Sequence, residues 1–572
     1  MLKLARFLKN YKKEVFLGPL FKLLEAIFEI IVPLVMAKIV DVGIKNNDKT
    51  YILQMGGVIV FLGICGLVLA LFGQYYAAKC GMGFGTELRR SLYKHINTLS
   101  YSEIDKFGTS SLITRMINDT TTVQTGVNMT IRLAVRAPFL VVGATIMAMI
   151  LDLKLSIVFL VAAPTITLVL YLVMSRSIRM YRGIQKKIDK VSLLTRENLE
   201  GVRVIRAFSK QNEEIEEYNK ASENVAKSSI AVSRISSILN PATYAVMNLA
   251  IVAVLWFGGL RVNSGSLTQG QIIAFVNYLT QISFALIALA NLIIIFTRAE
   301  ASSNRINEVF ELSSKISDGA NELEYKENVP VIEFKNVSFS YDEGEYAIEE
   351  ISFQLNKGEM LGIIGGTGSG KSTIANLIGR FYDATQGEVM LYGRNVKEYS
   401  LNSLRKAIGI VPQRVALFSG TISGNMKWAK PDATESEIID ALKTAQAWEF
   451  VSNLENGVYS EILQGGKNFS GGQKQRLTIA RALVSKPPIL ILDDSMSALD
   501  YATDLSLRKA INENLNDTAL IMITQRSTSI KNADKIIVLD DGKIVGMGTH
   551  DELYDSCEIY KEICDTQGEA RK

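Results

Sequence analysis

A glycine-rich segment in the second half of the chain has the residue types of a phosphate-binding loop. Glycines allow backbone amides to point at phosphate oxygens, and the start of the following helix adds partial positive charge. The lysine is expected to reach the outer phosphates, and the next serine to ligate magnesium. The residues, after an apolar run that predicts a buried strand, are Gly365, Gly366, Thr367, Gly368, Ser369, Gly370, Lys371, Ser372 and Thr373.

A second motif is an apolar run that ends in two carboxylates. It reads ILILDD over Ile489–Asp494. Four apolar residues predict a buried strand, and its carboxylates emerge at the carboxyl end, the edge where open α/β sheets bind ligands. We therefore expect Asp493 to lie on the magnesium side of the nucleotide.

Between these motifs lies a serine-glycine turn that opens a helix. The segment is NFSGGQKQR, with Ser470, Gly471, Gly472 and Gln473 at the turn. A helix N-terminus of this kind is an anion site in its own right. One nucleotide does not need two phosphate sites from the same domain, so the pattern implies a second copy of the domain.

The first half of the chain is dominated by apolar runs long enough to cross a bilayer, which takes about 20 residues. Basic residues are concentrated before the first run and in the long second and fourth connections, which predicts that both termini face the cytoplasm. The six predicted spans lie near residues 15–40, 52–78, 133–151, 155–175, 241–262 and 271–296.

Two long connections are predicted to be helical hairpins that extend the spans into the cytoplasm, because they contain few glycines or prolines. Their tips are expected near Phe107–Thr120 and Arg196–Gln211. A mechanical contact of these tips with a cytoplasmic domain is the economical interpretation. The alternative is that they are solvated helical turns.

Three charged residues interrupt the first predicted span. Lys22, Glu25 and Glu29 are spaced to share one helix face. A charge within the bilayer costs a few kcal/mol, so this face is expected to point into the protein. It could line a substrate cavity, but an internal ion pair that holds helices in register is the preferred interpretation.

Composition sets the broad class. The 572 residues carry a net charge of only +4, so charge alone implies no nucleic-acid partner. The mean hydropathy of +0.17 is high for a soluble enzyme. We predict an α-helical membrane domain with six spans over residues 1–310, a linker over 311–330, and an α/β phosphate-loop domain over 331–572.

The motifs together resemble those of an ABC ATPase, in the order in which that family has them. The matching residues are Gly365–Ser372, Gln413 in VPQ, Ser470–Gln473 in SGGQ, Asp493, and Ser497–Asp500 in SALD. The membrane half, with six spans, two long hairpins and the run GSLTQGQIIAFVNY over Gly265–Tyr278, resembles the exporter subfamily. The resemblance covers nearly the whole chain.

The resemblance implies that ATP and Mg²⁺ bind, and that two ATPase domains enclose two nucleotides. Each nucleotide would be held by the phosphate loop of one domain and the SGGQ turn of the other, with Asp500 along the shared seam. Tyr341 looks like the aromatic residue that stacks on adenine, with a plain core tyrosine as the alternative. Gln413 looks like the residue that senses magnesium or water and contacts the membrane tips.

The sequence departs from the family pattern at two catalytic positions. Asp494 stands where the family has a glutamate that positions the attacking water, and Gln525 stands where it has a histidine that contacts the terminal phosphate. Aspartate withdraws its carboxylate by about 1.5 Å, and misplacement of that order costs about 100-fold in rate. Glutamine carries no charge to stabilise the transition state.

These departures predict a site that binds ATP and hydrolyses it weakly, in one half of a heterodimer whose other chain has glutamate and histidine. The resemblance to bacterial multidrug exporters implies hydrophobic or amphipathic substrates moved out of the cell. The alternatives are an ordinary homodimer, a lipid or peptide exporter, and an ATP-gated channel or regulatory protein. The spans carry no motif that names the substrate.

Overall fold

The computed structural model describes residues 1–341, 344–497 and 499–567, with the backbone alone for Leu2, Arg182 and Tyr501. The chain forms two compact units. The first contains Met1–Asn97 and Thr109–Leu312, and the second contains Thr98–Gly108 and the described residues of Ser313–Lys572.

The first unit is entirely helical in its described residues. A 3₁₀ helix, Leu2–Tyr11, precedes the first long helix, and π-helical turns occupy Ile39–Ile44 and Arg115–Asp119. The α-helices are α1 (Lys12–Lys38), α2 (Lys49–Ile96), then, after α3 (Tyr101–Phe107) of the second unit, α4 (Thr109–Thr114), α5 (Thr120–Leu133), α6 (Arg136–Leu151), α7 (Ile157–Ala207), α8 (Gln211–Ser237), α9 (Leu239–Asn263) and α10 (Gln269–Phe310).

Five helical stretches of the described residues are long and apolar enough to cross a membrane. They are Lys49–Ile96, Thr109–Leu151, Ile157–Ala207, Gln211–Asn263 and Gln269–Phe310. The predicted first span lies on α1, whose 27 residues extend for about 40 Å. Its three charged residues separate it from the other five in composition. The predicted helical membrane domain is confirmed.

The charged residues of α1 find partners inside the first unit. Lys22 Nζ lies 2.6 Å from Glu25 Oε2, and Arg136 Nη2 at the start of α6 donates to Glu29 Oε2 at 2.7 Å. Arg136 Nε is also 3.5 Å from Glu25. Two cations thus balance two carboxylates across two helices, which supports the internal ion-pair interpretation.

The two hairpin tips differ in how well the sequence predicted them. The turn between α7 and α8 falls at Phe208–Lys210, inside the predicted second tip. The prediction for the first tip was wrong by several residues, because Thr109–Asp119 is helical and the chain turns earlier. A capping box between Ser100 and Glu103 starts the short helix α3 there.

The second unit has two larger sheets and one small hairpin. The strands are β1 (Ile332–Phe339), β2 (Ile348–Leu355), β3 (Met360–Gly365), β4 (Gln386–Leu391), β5 (Arg394–Asn395), β6 (Ile408–Val411), β7 (Gly420–Thr421), β8 (Glu461–Ile462), β9 (Ile489–Asp493), β10 (Ala519–Ile523), β11 (Lys535–Asp540) and β12 (Lys543–Gly548). The sheet orders are β2-β1-β4-β5, β12-β11-β3-β10-β9-β6 and β7-β8.

Helices complete the second unit, confirming the predicted α/β fold class. They are, after α3, α11 (Lys371–Ile378), α12 (Leu401–Lys406), α13 (Ile422–Met426), α14 (Glu435–Thr444), α15 (Trp448–Ser452), α16 (Gly471–Leu483), α17 (Tyr501–Asn514), α18 (Ser527–Ile530), α19 (His550–Ser556) and α20 (Glu558–Thr566). Helix α3 packs on this unit, since the Tyr101 ring lies 4.9 Å from that of Phe381 and Tyr382 Oη donates to Asp105 at 2.6 Å.

The register of the six-stranded sheet determines where the motifs meet. Strands β3, β10 and β9 are parallel neighbours, with Ile523 paired to Ile363 on one side and to Asp493 on the other. Their carboxyl ends therefore share one edge. The phosphate loop follows β3, the paired carboxylates end β9, and the segment containing Gln525 follows β10.

Candidate nucleotide site

The phosphate loop depends on two of its glycines for its shape. Gly370 has φ +92°, and a Cβ there would lie 2.5 Å from the carbonyl oxygen of Ala347. At Gly365 a Cβ would lie 2.1 Å from the carbonyl oxygen of Leu539. Side chains at either position would displace backbone, so the loop needs glycine for conformation and for close packing.

Lys371 is the first residue of α11 and its ammonium group lies against the loop. It donates to the carbonyl oxygens of Gly365, at 2.9 Å, and of Gly366, and to Ser369 Oγ at 3.2 Å. Burial lowers the pKa of Lys371, while the carboxylates of Asp494 and Asp493 oppose that shift. The ammonium is therefore held beside the place where the sequence predicts the outer phosphates.

Ser372 and Asp493 form the pair of oxygen donors predicted for magnesium. Ser372 Oγ donates to Asp493 Oδ1 at 3.0 Å. Burial raises the pKa of the Asp493 carboxyl, with the neighbouring Asp494 adding to the shift and the Ser372 hydrogen bond opposing it. A hydroxyl and a carboxylate, completed by phosphate and water oxygens, match the hard oxygen ligands that Mg²⁺ prefers, so the residues fit this ion.

Asp494 and Gln525, the two residues that differ from the family pattern, follow the carboxyl ends of β9 and β10 at the same edge of the sheet. Gln413 Nε2 donates to Asp494 Oδ2 at 3.3 Å, and Asp494 itself is in the left-handed region with φ +44°. Burial raises the pKa of the Asp494 carboxyl. Gln525 follows the end of β10 by two residues and lines the same pocket.

Tyr341 borders the site but remains half exposed. Its hydroxyl is 3.1 Å from Thr373 Oγ1, and its ring meets those of Phe339 and Tyr382 edge to face, at 4.8 and 5.1 Å. The side chain is 47% exposed, so this is not the enclosed core tyrosine of the alternative interpretation. An aromatic face next to the phosphate loop is available for a base.

These side chains converge on one pocket of about 290 Å³. It is lined by most of the residues that the sequence predicts for the phosphate-loop side of the site. Gly365 and Gly366 are not in the lining, but their carbonyl oxygens accept hydrogen bonds from Lys371. The lining residues are Tyr341, Ala347, Thr367, Gly368, Ser369, Gly370, Lys371, Ser372, Thr373, Gln413, Asp493, Asp494, Ile523 and Gln525.

The SGGQ turn does not contribute to this pocket. Ser470 caps α16, with its hydroxyl accepting from Gln473 N at 3.3 Å, while Gln473 Oε1 accepts from Ser470 N at 2.9 Å. A Cβ on Gly471 would meet no described atom within 4 Å, and Gly472 continues the helix start. The turn is therefore a rigid, open helix N-terminus.

The segment SALD links the site to helix α17. Asp500 caps that helix by accepting from Thr503 N at 3.0 Å and Thr503 Oγ1 at 2.7 Å, and these bonds lower the pKa of Asp500. Ser497 Oγ donates to the Asp494 carbonyl oxygen at 2.9 Å. Ala498, the second residue of SALD, lies outside the described residues.

Sequence reasoning missed two residues that hold the segment after β10. Arg526 Nη2 donates to the carbonyl oxygen of Ser497 at 3.0 Å, and Gln567 contacts both Gln525 and Ser527. Arg526 directly follows the predicted site residue Gln525, so its position next to the site could have been inferred from the sequence. No sequence signal points to Gln567, which is separated from Gln525 by 42 residues.

Comparison with known proteins relates both the helical unit and the nucleotide-site unit to ABC transporters. Residues 15–286 match the family described as ABC transporter transmembrane region, and residues 348–497 match the family described as ABC transporter. The uncharacterized ABC transporter ATP-binding protein YfiB of Bacillus subtilis is 37% identical over 99% of this chain and 98% of its own length.

Two further similarities extend the comparison. The putative multidrug export ATP-binding/permease protein YgaD of Bacillus subtilis is 32% identical, over 98% of both chains. The structure of a bacterial Atm1-family ABC exporter with ATP bound superposes with a TM-score of 0.82, covering 98% of this chain and 99% of the other at 23% identity. At that identity the likeness concerns the fold.

A helical membrane unit and a phosphate-loop ATPase on one polypeptide define an ATP-driven membrane transporter. The chain belongs to the ABC transporter family, with the exporter architecture. It is an ATP-hydrolysing half-transporter, which acts with a second half in a lipid bilayer. Its ATPase domain binds ATP, typically with Mg²⁺.

Proposed function

We propose that this chain is one half of a heterodimeric exporter and contributes a nucleotide site that binds ATP but hydrolyses it weakly. The observation that carries the proposal is that Asp494 and Gln525 line the same pocket as Lys371, Ser372 and Asp493. Both stand where the family pattern has the residues that position water and contact the terminal phosphate.

The chemistry of the pocket supports binding more strongly than hydrolysis. Lys371 supplies a fixed positive charge for the outer phosphates, and Ser372 with Asp493 would hold magnesium, which would neutralise developing phosphate charge. Asp494 is the nearer candidate for positioning water. Its short side chain holds the carboxylate about 1.5 Å back from where the glutamate of the family pattern would place it, which reduces its value for positioning water.

The intact SGGQ turn supports a role in a partner's site. The open N-terminus of α16 presents backbone amides and partial positive charge without obstruction at Gly471. We propose that it completes the hydrolytic site of a second chain that carries glutamate and histidine. Gln413, beside Asp494, would relay the state of the nucleotide towards the helical tips.

Relatives and sequence patterns support the direction and the class of substrate. One relative, named multidrug efflux ATP-binding/permease protein in Mycobacterium bovis, is 30% identical and is matched over 47% of its length, as expected if this chain equals one half. We propose export of hydrophobic or amphipathic compounds across the cell membrane. The basic N-terminus and inward hairpins support termini and ATPase domain in the cytoplasm.

ATPase measurements test this proposal. The purified full chain should hydrolyse MgATP slowly, and mixing or coexpression with a chain bearing glutamate and histidine should raise turnover at least about tenfold. Robust turnover by a verified homodimer would contradict the heterodimer assignment. ATP-dependent unitary currents without substrate accumulation in vesicles would favour the channel alternative instead.

A further inference from the structure

The loop after β10 is held from the far end of the chain. Gln567, directly after α20, donates from Nε2 to the carbonyl oxygen of Gln525 at 2.7 Å. Its Oε1 accepts from the Ser527 backbone N at 2.9 Å and from Ser527 Oγ at 3.0 Å. One side-chain amide therefore bonds to residues on both sides of Arg526.

Gln567 is itself supported by a helix that is anchored in the domain. Tyr560 and Cys564, both on α20, have no exposed surface. Asp565 accepts a hydrogen bond from Tyr554 Oη on α19 at 2.8 Å. Because α20 is fixed at these points, the amide at its end is placed by the fold rather than by a free tail.

The same loop is tied on its other side to the segment that follows Asp494. Arg526 Nη2 donates to the Ser497 carbonyl oxygen at 3.0 Å, and Thr524 Oγ1 accepts from Arg526 N at 3.0 Å. With Gln567 opposite, the backbone around Gln525 is restrained on both flanks. Gln525, on this restrained backbone, lines the nucleotide pocket.

We propose that Gln567 is a positioning residue for Gln525, and that α20 fixes the γ-phosphate end of this site. This rests on the position assigned above to Gln525. The side-chain amide of Gln567 donates to the Gln525 carbonyl oxygen and accepts from the Ser527 backbone N–H. It therefore fixes the backbone orientation on which the direction of the Gln525 side chain depends. Loss of Gln567 allows that side chain to turn away from the terminal phosphate.

The proposal makes a nucleotide-specific prediction. A misplaced Gln525 weakens contacts to the γ-phosphate and leaves contacts to adenine and to the inner phosphates unchanged. The expected effect of Gln567→Ala is an approximately five- to tenfold faster dissociation of a fluorescent AMP-PNP analogue, with dissociation of the matching ADP analogue unchanged. General damage to the domain accelerates both, and that result would overturn the proposal.

The experiment uses the purified full chain, in which every nucleotide site is its own, so the result is independent of any heterodimer. Stopped-flow displacement with excess unlabelled nucleotide gives the two rates. Thr566→Ala is the matched control, because Thr566 Oγ1 donates only within its helix, to the Glu562 carbonyl oxygen at 2.7 Å. It should leave both rates at the wild-type values.

Two further variants test whether Gln567 acts through Gln525. Gln567→Glu keeps the acceptor for Ser527 but cannot donate to the Gln525 carbonyl, so it should release AMP-PNP as fast as Gln567→Ala does; wild-type release would count against the proposal. In a Gln525→Ala background, Gln567→Ala should have no additional effect. Additive effects would mean that Gln567 acts by another route.

Efficient ATP hydrolysis by a homodimer would refute the proposal that this site hydrolyses ATP weakly. The dissociation rates would still test the role of Gln567, because they do not depend on hydrolysis.

Discussion

Single residues determine whether the nucleotide pocket forms and what it can do. The glycines of the phosphate loop are not equivalent, because Gly370 is held in a left-handed conformation against Ala347, whereas a Cβ on Gly366 would meet no described atom within 4 Å. Asp494 and Gln525, the residues proposed to weaken hydrolysis, line the same pocket.

Gly370→Ala should destabilise the ATPase domain by about 2 kcal/mol, through strain at φ +92° and overlap with the Ala347 carbonyl. Thermal unfolding of the purified chain, measured without nucleotide, gives the shift. Gly366→Ala is the matched control and should unfold at the wild-type temperature. Equal midpoints for the two variants would show that the close contact at Gly370 is easily relieved.

Restoring the family residues should restore hydrolysis. Asp494→Glu together with Gln525→His extends the carboxylate by about 1.5 Å and returns a donor that can carry positive charge to the terminal phosphate. In the complex with its partner, we expect turnover assigned to this site to rise at least about tenfold. Asp494→Asn with Gln525→His, which lacks the carboxylate, should show no rise; a similar gain in both would contradict the role of residue 494.

At the scale of elements, helices place charges and helix ends where they are needed. On α1, Glu29 pairs with Arg136 from α6, and Glu25 lies between Lys22 and the same arginine. Lys22 also packs over Gly73 of α2, where a Cβ would come within 3.1 Å of its side chain. These contacts fix the relative register of three helices. The charges act as a structural clamp, which is why no substrate role is needed to explain them.

Arg136→Met should therefore destabilise the membrane unit by about 2 kcal/mol, because it leaves the partly buried Glu29 without its cation and Glu25 with Lys22 alone. Detergent-based thermal unfolding, or yield of the folded protein, measures this loss. Arg132→Met is the control, since Arg132 forms no ion pair with the described residues and should be much less sensitive. Rescue of Arg136→Met by Glu29→Gln is expected, and its failure would argue against the pairing.

At the scale of the whole molecule, the pocket around Lys371 and the open turn at Gly471 are separate surfaces of one unit. In the proposed function each of them faces the complementary surface of a second ATPase domain. If the two halves of the transporter differ, a mutation in the SGGQ turn of this chain should reduce ATP hydrolysis at the partner's site. Nucleotide binding at this chain's own phosphate loop should not change.

Gly471→Asp should abolish ATP turnover by the mixed complex while ATP binding by this chain persists. The added carboxylate repels the γ-phosphate across the seam, and the site tolerates the bulk because no described atom lies within 4 Å of a Cβ at this position. Gly471→Asn has similar size without the charge and should retain a large part of the activity. Full activity of the Asp variant would show that this turn does not face the working site.

The sequence alone determined the class of protein, because its main signals are local. Apolar runs of span length fix the membrane helices, and loop chemistry at Gly365–Ser372 requires a strand before and a helix after it. Asp494 and Gln525 were identified by their place in the family pattern that the motifs resemble. Motifs of this kind survive without tertiary information, since the physical requirement lies within a few neighbouring residues.

Only the tertiary structure decided which distant residues meet. The partner of Glu29 is Arg136, 107 residues away, and the support of Gln525 comes from Gln567 at the end of α20. The structure also places the first hairpin tip at α3, before the predicted position, where Ser100 and Glu103 form a helix cap. Such pairings depend on how helices and strands pack, and long polar side chains such as glutamine have no sequence signature for the partner they will reach.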